Sequence, residues 1–165
     1  MTSPRPADTF PTPEHDHAEC IDAALTHAED TCRRLGLRFT PIRRRVLELI
    51  WQNHEPVGAY DLLDQLSRDG RRAMPPTVYR ALEFLVAAGL VHRLATLNAF
   101  VGCAHPDHAH QGQFLICRNC RRVVEMESPK VGRSLKREAE ALGFSIEEQS
   151  IELTGLCPDC SSEAH

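Results

Sequence analysis

The sequence lacks the features that mark membrane and secreted proteins. No run of about 18 apolar residues occurs in its 165 residues, so no transmembrane helix is expected. The N-terminal stretch MTSPRPADTFPTPEHDH is rich in proline and polar side chains and has no apolar core of the kind that a signal peptide needs. We therefore expect residues 1–18 to form a disordered tail, and the protein to stay in the cytoplasm without a membrane partner.

Lysine is absent from the middle of the chain, where arginine is abundant. Residues 31–100 contain eleven arginines and no lysine against six acidic residues, although the whole chain has a net charge of −4. Residues 1–30 and 101–165 are acidic by contrast. The basic middle is therefore the region that we expect to contact a polyanion.

The residues up to 103 predict four helices followed by a β-hairpin. Apolar residues recur at helical spacing in four segments, and proline and glycine mark the starts and ends of these segments. Two short apolar runs then predict the hairpin. The helices are predicted over 19–35, from 41 onward, over 59–66 and over 75–88, and the strands over 90–94 and 99–103.

The fourth helix has two different faces. Its apolar stripe is expected to be buried: Val78, Leu82, Leu85 and Val86. Three residues off this stripe are expected to face outward: Tyr79, Arg80 and Glu83. This order of elements is typical of a winged helix-turn-helix, whose last helix enters the major groove of DNA. A helical bundle with solvated arginines has the same order, but the positive charge of the region favours DNA binding.

The residues after a hinge over 104–112 predict a small mixed domain. Strands are predicted over 113–117, 123–127, 144–146 and 150–153, and a helix after Ser128-Pro129 that carries Val131, Leu135, Ala139 and Leu142. Glu125 alternates with apolar neighbours in the second strand, so it is expected to point away from the apolar face. About 50 residues make a small core, which a metal and dimerisation would stabilise.

Two C-x-x-C pairs are the strongest signal in the chain: Cys117, Cys120, Cys157 and Cys160. Cysteines in a reducing compartment seldom form disulfides, and four thiolates from two tight turns form a tetrahedral zinc site. Such a site has no position left for water, so its role is structural. A redox dithiol at CPDC would need a helix N-terminus beneath its thiol, and only five residues follow Cys160, which are too few for that helix.

A second set of possible ligands is more widely spaced: His92, Cys103, His110 and Glu125. Imidazole, thiolate and carboxylate together suit a borderline metal such as zinc. The spacing alone leaves open that the histidine and the glutamate are surface residues and the cysteine a buried thiol. It also leaves open whether His105, Asp107 and His108 form a third site or are solvated residues of the hinge.

The chain resembles the ferric uptake regulator superfamily, and within it the zinc uptake regulator branch. The resemblance runs from about Glu19 to Cys160 and rests on PPTVYRALEFLVAAGLVHRL, on NAFVGC and on the cysteine framework FLICRNC…CPDC. It implies a homodimeric repressor that binds a palindromic operator of zinc-uptake genes in double-stranded DNA.

The resemblance also implies two Zn²⁺ per subunit, one structural at the four cysteines of the C-x-x-C pairs and one regulatory. The regulatory ligands of the branch align with His92, Cys103, His110 and Glu125. Iron-sensing members often carry a histidine three residues before the first C-x-x-C, where this chain has Phe114. That departure weakens an iron- or peroxide-responsive assignment, which remains the alternative within the superfamily.

The expected DNA-contacting residues follow from the same comparison. A tyrosine and an arginine that contact bases in the branch align with Tyr60 and Arg80, and Thr77 and Tyr79 flank the arginine on the outward-facing helix. Arginine also suits this role by its chemistry, because its guanidinium donates in bidentate fashion to guanine.

The fold class expected is therefore α+β. It comprises a winged helix-turn-helix over 19–103 and a small α/β dimerisation domain over 113–165, stapled by a four-cysteine zinc. An enzyme with a small-molecule substrate is not expected, because both sites have four protein ligands and no nucleophile–base pair is evident. A zinc-stapled protein-interaction module is the alternative from another class, and it predicts no sequence preference for duplex DNA.

Overall fold

The structure is a computed structural model that describes Phe10 and residues 17–52, 55–70, 74–107 and 110–162. Most of the predicted tail thus lies outside the described residues, although the first helix already begins at His17. The chain divides into two compact units. The first unit ends at Asp107, and the second contains the residues after it together with Phe10. The division falls in the segment predicted as a hinge, while the exact domain bounds remain a prediction.

The first unit contains four helices and a two-stranded sheet, as predicted. Its elements are α1 (His17–Leu35), α2 (Pro41–Trp51), α3 (Ala59–Arg68), α4 (Pro75–Ala87), β1 (Val91–Leu94) and β2 (Ala99–Gly102). The strands pair antiparallel, with Val91 opposite Gly102 and Leu94 opposite Ala99. This is the order of elements in a winged helix-turn-helix.

Proline and glycine set the helix boundaries. Pro41 and Pro75 are the first residues of α2 and α4, where the missing N–H has no helical partner to lose. Gly36 and Gly89 follow α1 and α4 with φ values of 65° and 71°. A residue without Cβ adopts this left-handed conformation at little cost, so the chain turns sharply at both points.

The four helices and the hairpin enclose one apolar core. Its buried side chains include Leu25, Ala28, Val46, Leu47, Leu49, Ile50, Leu62, Leu66, Leu90, Val91 and Phe100. On α4 the buried residues are Val78, Ala81, Leu82 and Leu85. The prediction for Val86 is wrong, because this residue is 39% exposed. It lies at the edge of the apolar stripe, and Ala81 takes its place on the buried face.

Close packing fixes the hairpin to the helices. A Cβ at Gly102 would lie 2.2 Å from Cε2 of Trp51, so glycine is required for the indole to pack on β2. On the same strand, Phe100 exchanges backbone hydrogen bonds of 2.9 and 3.0 Å with Val57 from the α2–α3 connection. The end of β2 is therefore held by contacts with the core of the unit.

The second unit contains a three-stranded sheet and two helices. Its elements are β3 (Gly112–Cys117), β4 (Val123–Glu125), α5 (Pro129–Ala141), β5 (Ser150–Gly155) and α6 (Pro158–Ser162). The strand order is β4-β3-β5, with β3 antiparallel to β4 and parallel to β5. The mixed α and β composition of the two units confirms the expected fold class.

Three local predictions for this unit are wrong. Residues 144–146 form no strand, because Phe144 is 64% exposed and β3 has β5 as its parallel partner. The second predicted strand ends at Glu125 rather than at residue 127. A short helix does occur at the last C-x-x-C, because α6 begins at Pro158 inside the motif and needs no residues beyond Ser162.

The apolar stripe of α5 is not buried within the subunit. None of the α5 residues is buried, and Leu135 and Leu142 are 43% and 86% exposed. Phe144 and Leu153 of the same unit are also exposed. The second unit therefore exposes several large apolar side chains, and apolar patches on a protein surface often mark sites that another protein covers. None of the described helices is long and apolar enough to cross a membrane.

Candidate metal centres and DNA-contacting surface

The structure brings the two C-x-x-C turns together in the second unit. The sulfur atoms of Cys117, Cys120, Cys157 and Cys160 all lie within 4.8 Å of one another, and the sulfurs of Cys120 and Cys157 are 3.7 Å apart. A zinc ion about 2.3 Å from each of four tetrahedral sulfurs would place the sulfurs about 3.8 Å apart. The cluster has the donor type, number and spacing for zinc. It joins two pairs of thiols, unlike an isolated redox dithiol.

The sheet explains why turns so distant in sequence meet. Cys117 ends β3 and lies opposite Gly155, the last residue of the parallel strand β5. The backbone N–H of Arg118 donates to the carbonyl of Gly155 at 2.9 Å and so extends the ladder into the first turn. Because the two parallel strands end at the same edge, the turn after β3 and the turn after β5 lie side by side.

Each sulfur of the cluster accepts a hydrogen bond from an N–H donor. The backbone N–H of Cys157 donates to Cys117 at 3.4 Å, and Asn119 Nδ2 donates to Cys160 at 3.2 Å. The guanidinium of Arg122 donates to Cys120 at 3.2 Å and to Cys157 at 3.4 Å. Sequence analysis missed both polar side chains, because no spacing rule relates them to the cysteines.

The surroundings of the thiols shift the pKa values of Cys117 and Cys160 in opposite directions. Burial raises the pKa of Cys117, but the backbone N–H groups of Cys120, Cys157 and Asn119 donate to its sulfur, and the resulting pKa is about 6. For Cys160 the Asn119 amide lowers the pKa, while burial and the neighbouring thiols raise it to about 11. A thiol that ionises near neutral pH prepares the cluster to exchange its protons for a metal ion.

The second set of possible ligands, called the mixed ligand set below, has two residues in each unit: His92, Cys103, His110 and Glu125. In the first unit His92 lies on β1 and Cys103 directly follows β2. A ring nitrogen of His92 and the sulfur of Cys103 lie within 4.8 Å of each other. The backbone N–H of Cys103 donates to the carbonyl of Leu90 at 3.0 Å, which continues the pairing of the hairpin by one residue. The cysteine is 2% exposed.

In the second unit His110 and Glu125 are in direct contact. Nε2 of His110 lies 2.5 Å from Oε1 of Glu125, and both side chains are buried. The prediction that Glu125 faces outward is wrong, because this residue ends β4 with 6% exposure. A buried carboxylate is costly unless a polar group or an ion compensates it. The pair supplies one nitrogen and one oxygen ligand in a fixed arrangement.

The third site that the sequence left open is not formed by those of its residues that the structure describes. Among the residues that the structure describes, His105 and Asp107 belong to no group of three possible metal ligands. Oδ1 of Asp107 lies 3.4 Å from Nδ1 of His27 on α1. His105 is 8% exposed, so the expectation of a solvated hinge histidine is wrong for this residue. His108 lies outside the described residues.

The predicted DNA-contacting residues are exposed on the first unit. Thr77, Tyr79 and Arg80 lie on the outer side of α4, and Tyr60 lies at the start of α3 with 76% exposure. The two tyrosines line one cleft of about 510 Å³ between α3, α4 and the hairpin. The structure therefore places the four residues on two adjacent helices and leaves them accessible.

Several described arginines of the basic middle already have partners within the first unit. Three arginines of α2 are engaged within the unit: Arg43 lies 3.5 Å over the ring of Phe84, Arg44 pairs with Glu29 and Glu48, and Arg45 pairs with Glu48 and Asp69. Arg80 takes part in none of the ion pairs found among the described residues. The positive charge counted from the sequence is thus partly neutralised, and α4 presents an arginine that remains available.

Comparison with known proteins assigns the family. The profile of the Ferric uptake regulator family matches residues 34–154 of the 165. The chain belongs to this family. The Zinc uptake regulation protein of Escherichia coli (strain K12) is 38% identical to it over 137 residues, which are 82% of this chain and 80% of that protein.

Two solved structures of zinc uptake regulators from the same family are similar over nearly their whole length. The holo form of XcZur is 45% identical with a TM-score of 0.79, and the match covers 86% of this chain and 99% of that chain. A zinc uptake regulator complexed with zinc and DNA is 37% identical with a TM-score of 0.83, over 88% and 98% of the two chains. The resemblance to the zinc branch expected from the sequence is confirmed.

Proposed function

We propose that this chain is a zinc-responsive transcriptional repressor that acts in the cytoplasm as a homodimer. Zinc at a regulatory site would order the dimer to bind a palindromic operator of zinc-uptake genes. The observation that carries the proposal is the division of the mixed ligands, with His92 and Cys103 in one unit and His110 and Glu125 in the other. Similarity to a zinc uptake regulator complexed with zinc and DNA supports it.

The four cysteines would hold a structural zinc. Four thiolates complete a tetrahedral site without leaving a position for water, and the cluster joins the turn after β5 to the turn after the central strand β3. Binding of a structural zinc contributes roughly 10–16 kcal/mol in small zinc domains. An ion bound this tightly would serve as a permanent structural ion, and its occupancy would not respond to changes in zinc concentration.

The second zinc of each subunit would bind to His92, Cys103, His110 and Glu125. Neither unit alone supplies four ligands from this set, so a zinc ion that satisfies all four would link the two units. Moving a two-state equilibrium from mostly open to mostly closed requires about 5.5 kcal/mol of differential binding. A four-ligand zinc site can supply a free energy of this size, which makes the arrangement of the units depend on zinc.

The DNA would be contacted through Tyr60, Thr77, Tyr79 and Arg80. Arginine donates two hydrogen bonds to guanine in the major groove, and Arg80 is exposed on the helix that occupies the recognition position. The neighbouring tyrosine and threonine hydroxyls can donate to phosphate oxygens. Specific binding by one subunit would therefore depend on a single helix and the start of α3.

Dimerisation would cover the apolar surface of the second unit. Leu135, Leu142, Phe144 and Leu153 are exposed there although they are apolar. A two-fold dimer places two copies of one patch against each other. It would also present two recognition helices to a palindrome whose half-sites repeat with the helical turn of DNA.

The alternative of an iron- or peroxide-responsive regulator is weakened by the absence of a histidine that iron-sensing members often carry. The histidine of iron sensors is replaced by Phe114, which is 1% exposed and belongs to the sheet of the second unit. A protein-interaction module would not distinguish one duplex sequence from another. Both alternatives are tested by the metal and sequence dependence of DNA binding.

The decisive experiment compares Cys103→Ser with wild type. The DNA is a duplex selected by the zinc-loaded wild-type protein from a random pool, and binding is measured by anisotropy with zinc and with chelator. We expect Cys103→Ser to remain a dimer with one zinc per subunit and to lose zinc-dependent affinity by about 100-fold or more, since the site can no longer offset the cost of closure. Cys32→Ser, which alters another buried thiol of the first unit, should respond to zinc like wild type.

Two results would contradict the proposal. Unchanged zinc dependence of Cys103→Ser would remove this cysteine from the regulatory site. Equal affinity of the zinc-loaded wild type for selected and scrambled duplexes would instead indicate a protein-interaction module.

A separate measurement tests the DNA-contacting surface. Arg80→Ala should weaken operator binding by the zinc-loaded protein by about 1–3 kcal/mol and relax the preference at one base position, because a bidentate contact is lost. Arg137→Ala, an exposed arginine on α5 of the other unit, is the matched control. Equal losses in the two variants would show a nonspecific charge effect and refute the assignment of Arg80.

A further inference from the structure

Arg122 joins the two C-x-x-C turns through one side chain. Its Nε lies 3.2 Å from the sulfur of Cys120 in the first turn, and its Nη2 lies 3.4 Å from the sulfur of Cys157 in the second. Nη2 also lies 2.6 Å from Oδ2 of Asp159, which belongs to the second turn. The arginine side chain is 17% exposed. It therefore contacts both turns of the cluster.

The charge of the cluster gives these contacts their importance. Four thiolates around one Zn²⁺ leave two net negative charges in a buried place, where uncompensated charge is costly. Hydrogen bonds from charged donors to anionic acceptors are roughly twice as strong as neutral ones. Arg122 supplies side-chain N–H donors to two of the four sulfurs, those of Cys120 and Cys157, and it supplies positive charge as well.

We propose that Arg122 is a positioning residue that slows the release of zinc from the four-cysteine site by donating to Cys120 and Cys157 at once. The inference rests on the structural zinc proposed above. It explains how a subunit could keep one zinc while a second site exchanges the same ion. Asp159 orients the guanidinium by its ion pair, and a lysine at 122 could not form the same fork.

The experiment measures the release of zinc from the zinc-loaded full chain to an excess of the chromogenic chelator 4-(2-pyridylazo)resorcinol. Alkylation by N-ethylmaleimide, followed by peptide mass spectrometry, identifies which cysteines lose their metal. The variants are Arg122→Ala, Arg122→Lys and Asp159→Asn. Arg118→Ala is the matched control, because that arginine lies in the first turn, is exposed and contacts Gly155 through its backbone.

We expect Arg122→Ala to release the thiol-bound zinc about 10- to 100-fold faster than wild type, because removing groups that support metal ligands lowers metal affinity by about this range. The release rate of Arg122→Lys should lie between those of wild type and Arg122→Ala. Asp159→Asn should accelerate release less than Arg122→Ala, and Arg118→Ala should release zinc at the wild-type rate. If Arg122→Ala does not fold, faster release from Arg122→Lys carries the test, because this variant keeps the charge.

Three outcomes would overturn the proposal. Release from the folded Arg122 variants at the wild-type rate would show that the donation to sulfur does not hold the ion. Equal acceleration in Arg118→Ala would indicate a general effect of charge. If Asp159→Asn accelerated zinc release as much as Arg122→Ala, the ion pair between Arg122 and Asp159, and not the donation to sulfur, would be what slows release. If wild type carries no zinc protected at its four cysteines, the structural zinc itself is refuted, which alkylation of the wild type reveals before any variant is made.

Discussion

The four-cysteine cluster and the mixed ligand set each offer four donors, but they are placed differently in the chain. All four sulfurs of the cluster belong to one compact unit, and its sheet brings them within 4.8 Å of one another. The mixed set is divided, with two ligands in each unit. Folding of a single unit is enough to assemble the first site. We infer that the second is completed only when an ion joins two separately folded parts.

The donor types sharpen this contrast. Four thiolates make a soft site that favours zinc strongly, whereas imidazole, carboxylate and a single thiolate make a more moderate one. The cluster sulfurs also receive N–H donors from their own unit. We infer that the sharing of ligands between units, as well as their chemistry, would distinguish a permanently bound ion from one whose binding responds to its concentration.

The largest effect is expected from Cys117→Ser. Loss of one thiolate should remove most of the roughly 10–16 kcal/mol that a structural zinc contributes, so the second unit should unfold while the helices of the first persist. Zinc analysis and thermal melting followed by circular dichroism measure this change. Cys20→Ser, in a half-buried thiol of α1, serves as the control. A Cys117→Ser protein that keeps the wild-type melting profile and both zinc ions would contradict a structural role for the four-cysteine site.

A smaller but selective effect is expected from Glu125→Gln. This change keeps the shape of the side chain but removes the charge, and it should weaken zinc at the second site by more than the 10- to 100-fold typical of losses outside the ligand shell. The cluster zinc should stay bound. Competition with a zinc-binding dye measures both ions, and Glu127→Gln is the matched control at an exposed position nearby. Loss of the cluster zinc in Glu125→Gln would mean that the two sites are not independent.

The smallest effect is expected from Arg121→Gly. Arg121 directly follows the first C-x-x-C turn and has a φ of 60°, a conformation that costs residues with a Cβ about 1–2 kcal/mol. Glycine removes this strain but gains entropy in the unfolded chain. We expect the free energy of unfolding to rise by up to about 1 kcal/mol, without a change in the zinc dependence of DNA binding. Denaturant titration of the zinc-loaded protein measures the shift, and a clear destabilisation would contradict it.

The features that local signals specify could be predicted from the sequence. Helix starts at Pro41 and Pro75 and helix ends at Gly36 and Gly89 depend on residues next to each other. The C-x-x-C pairs could be identified because each binds from a single tight turn. In these cases the chemistry lies within a few residues, so the pattern is sufficient.

The predictions that failed depend on partners distant in sequence. Glu125 was expected to face outward from its alternation, but it is buried against His110, fifteen positions earlier. The ion pair of Arg45 with Asp69, the residue that follows α3, also has no trace in the count of charges. The contacts of Arg122 with the second turn also have no trace in the spacing of the motif. Only the fold brings such groups together.

The packing of Trp51 on Gly102 has a practical consequence. Trp51 is the only tryptophan in the chain, and its indole lies where a Cβ of residue 102 would be, one peptide bond from Cys103. An ion that pulls on that cysteine would shift the backbone beneath the ring and change the surroundings of the fluorophore. We therefore expect the ultraviolet emission of Trp51 to follow occupancy of the second metal site without any attached dye.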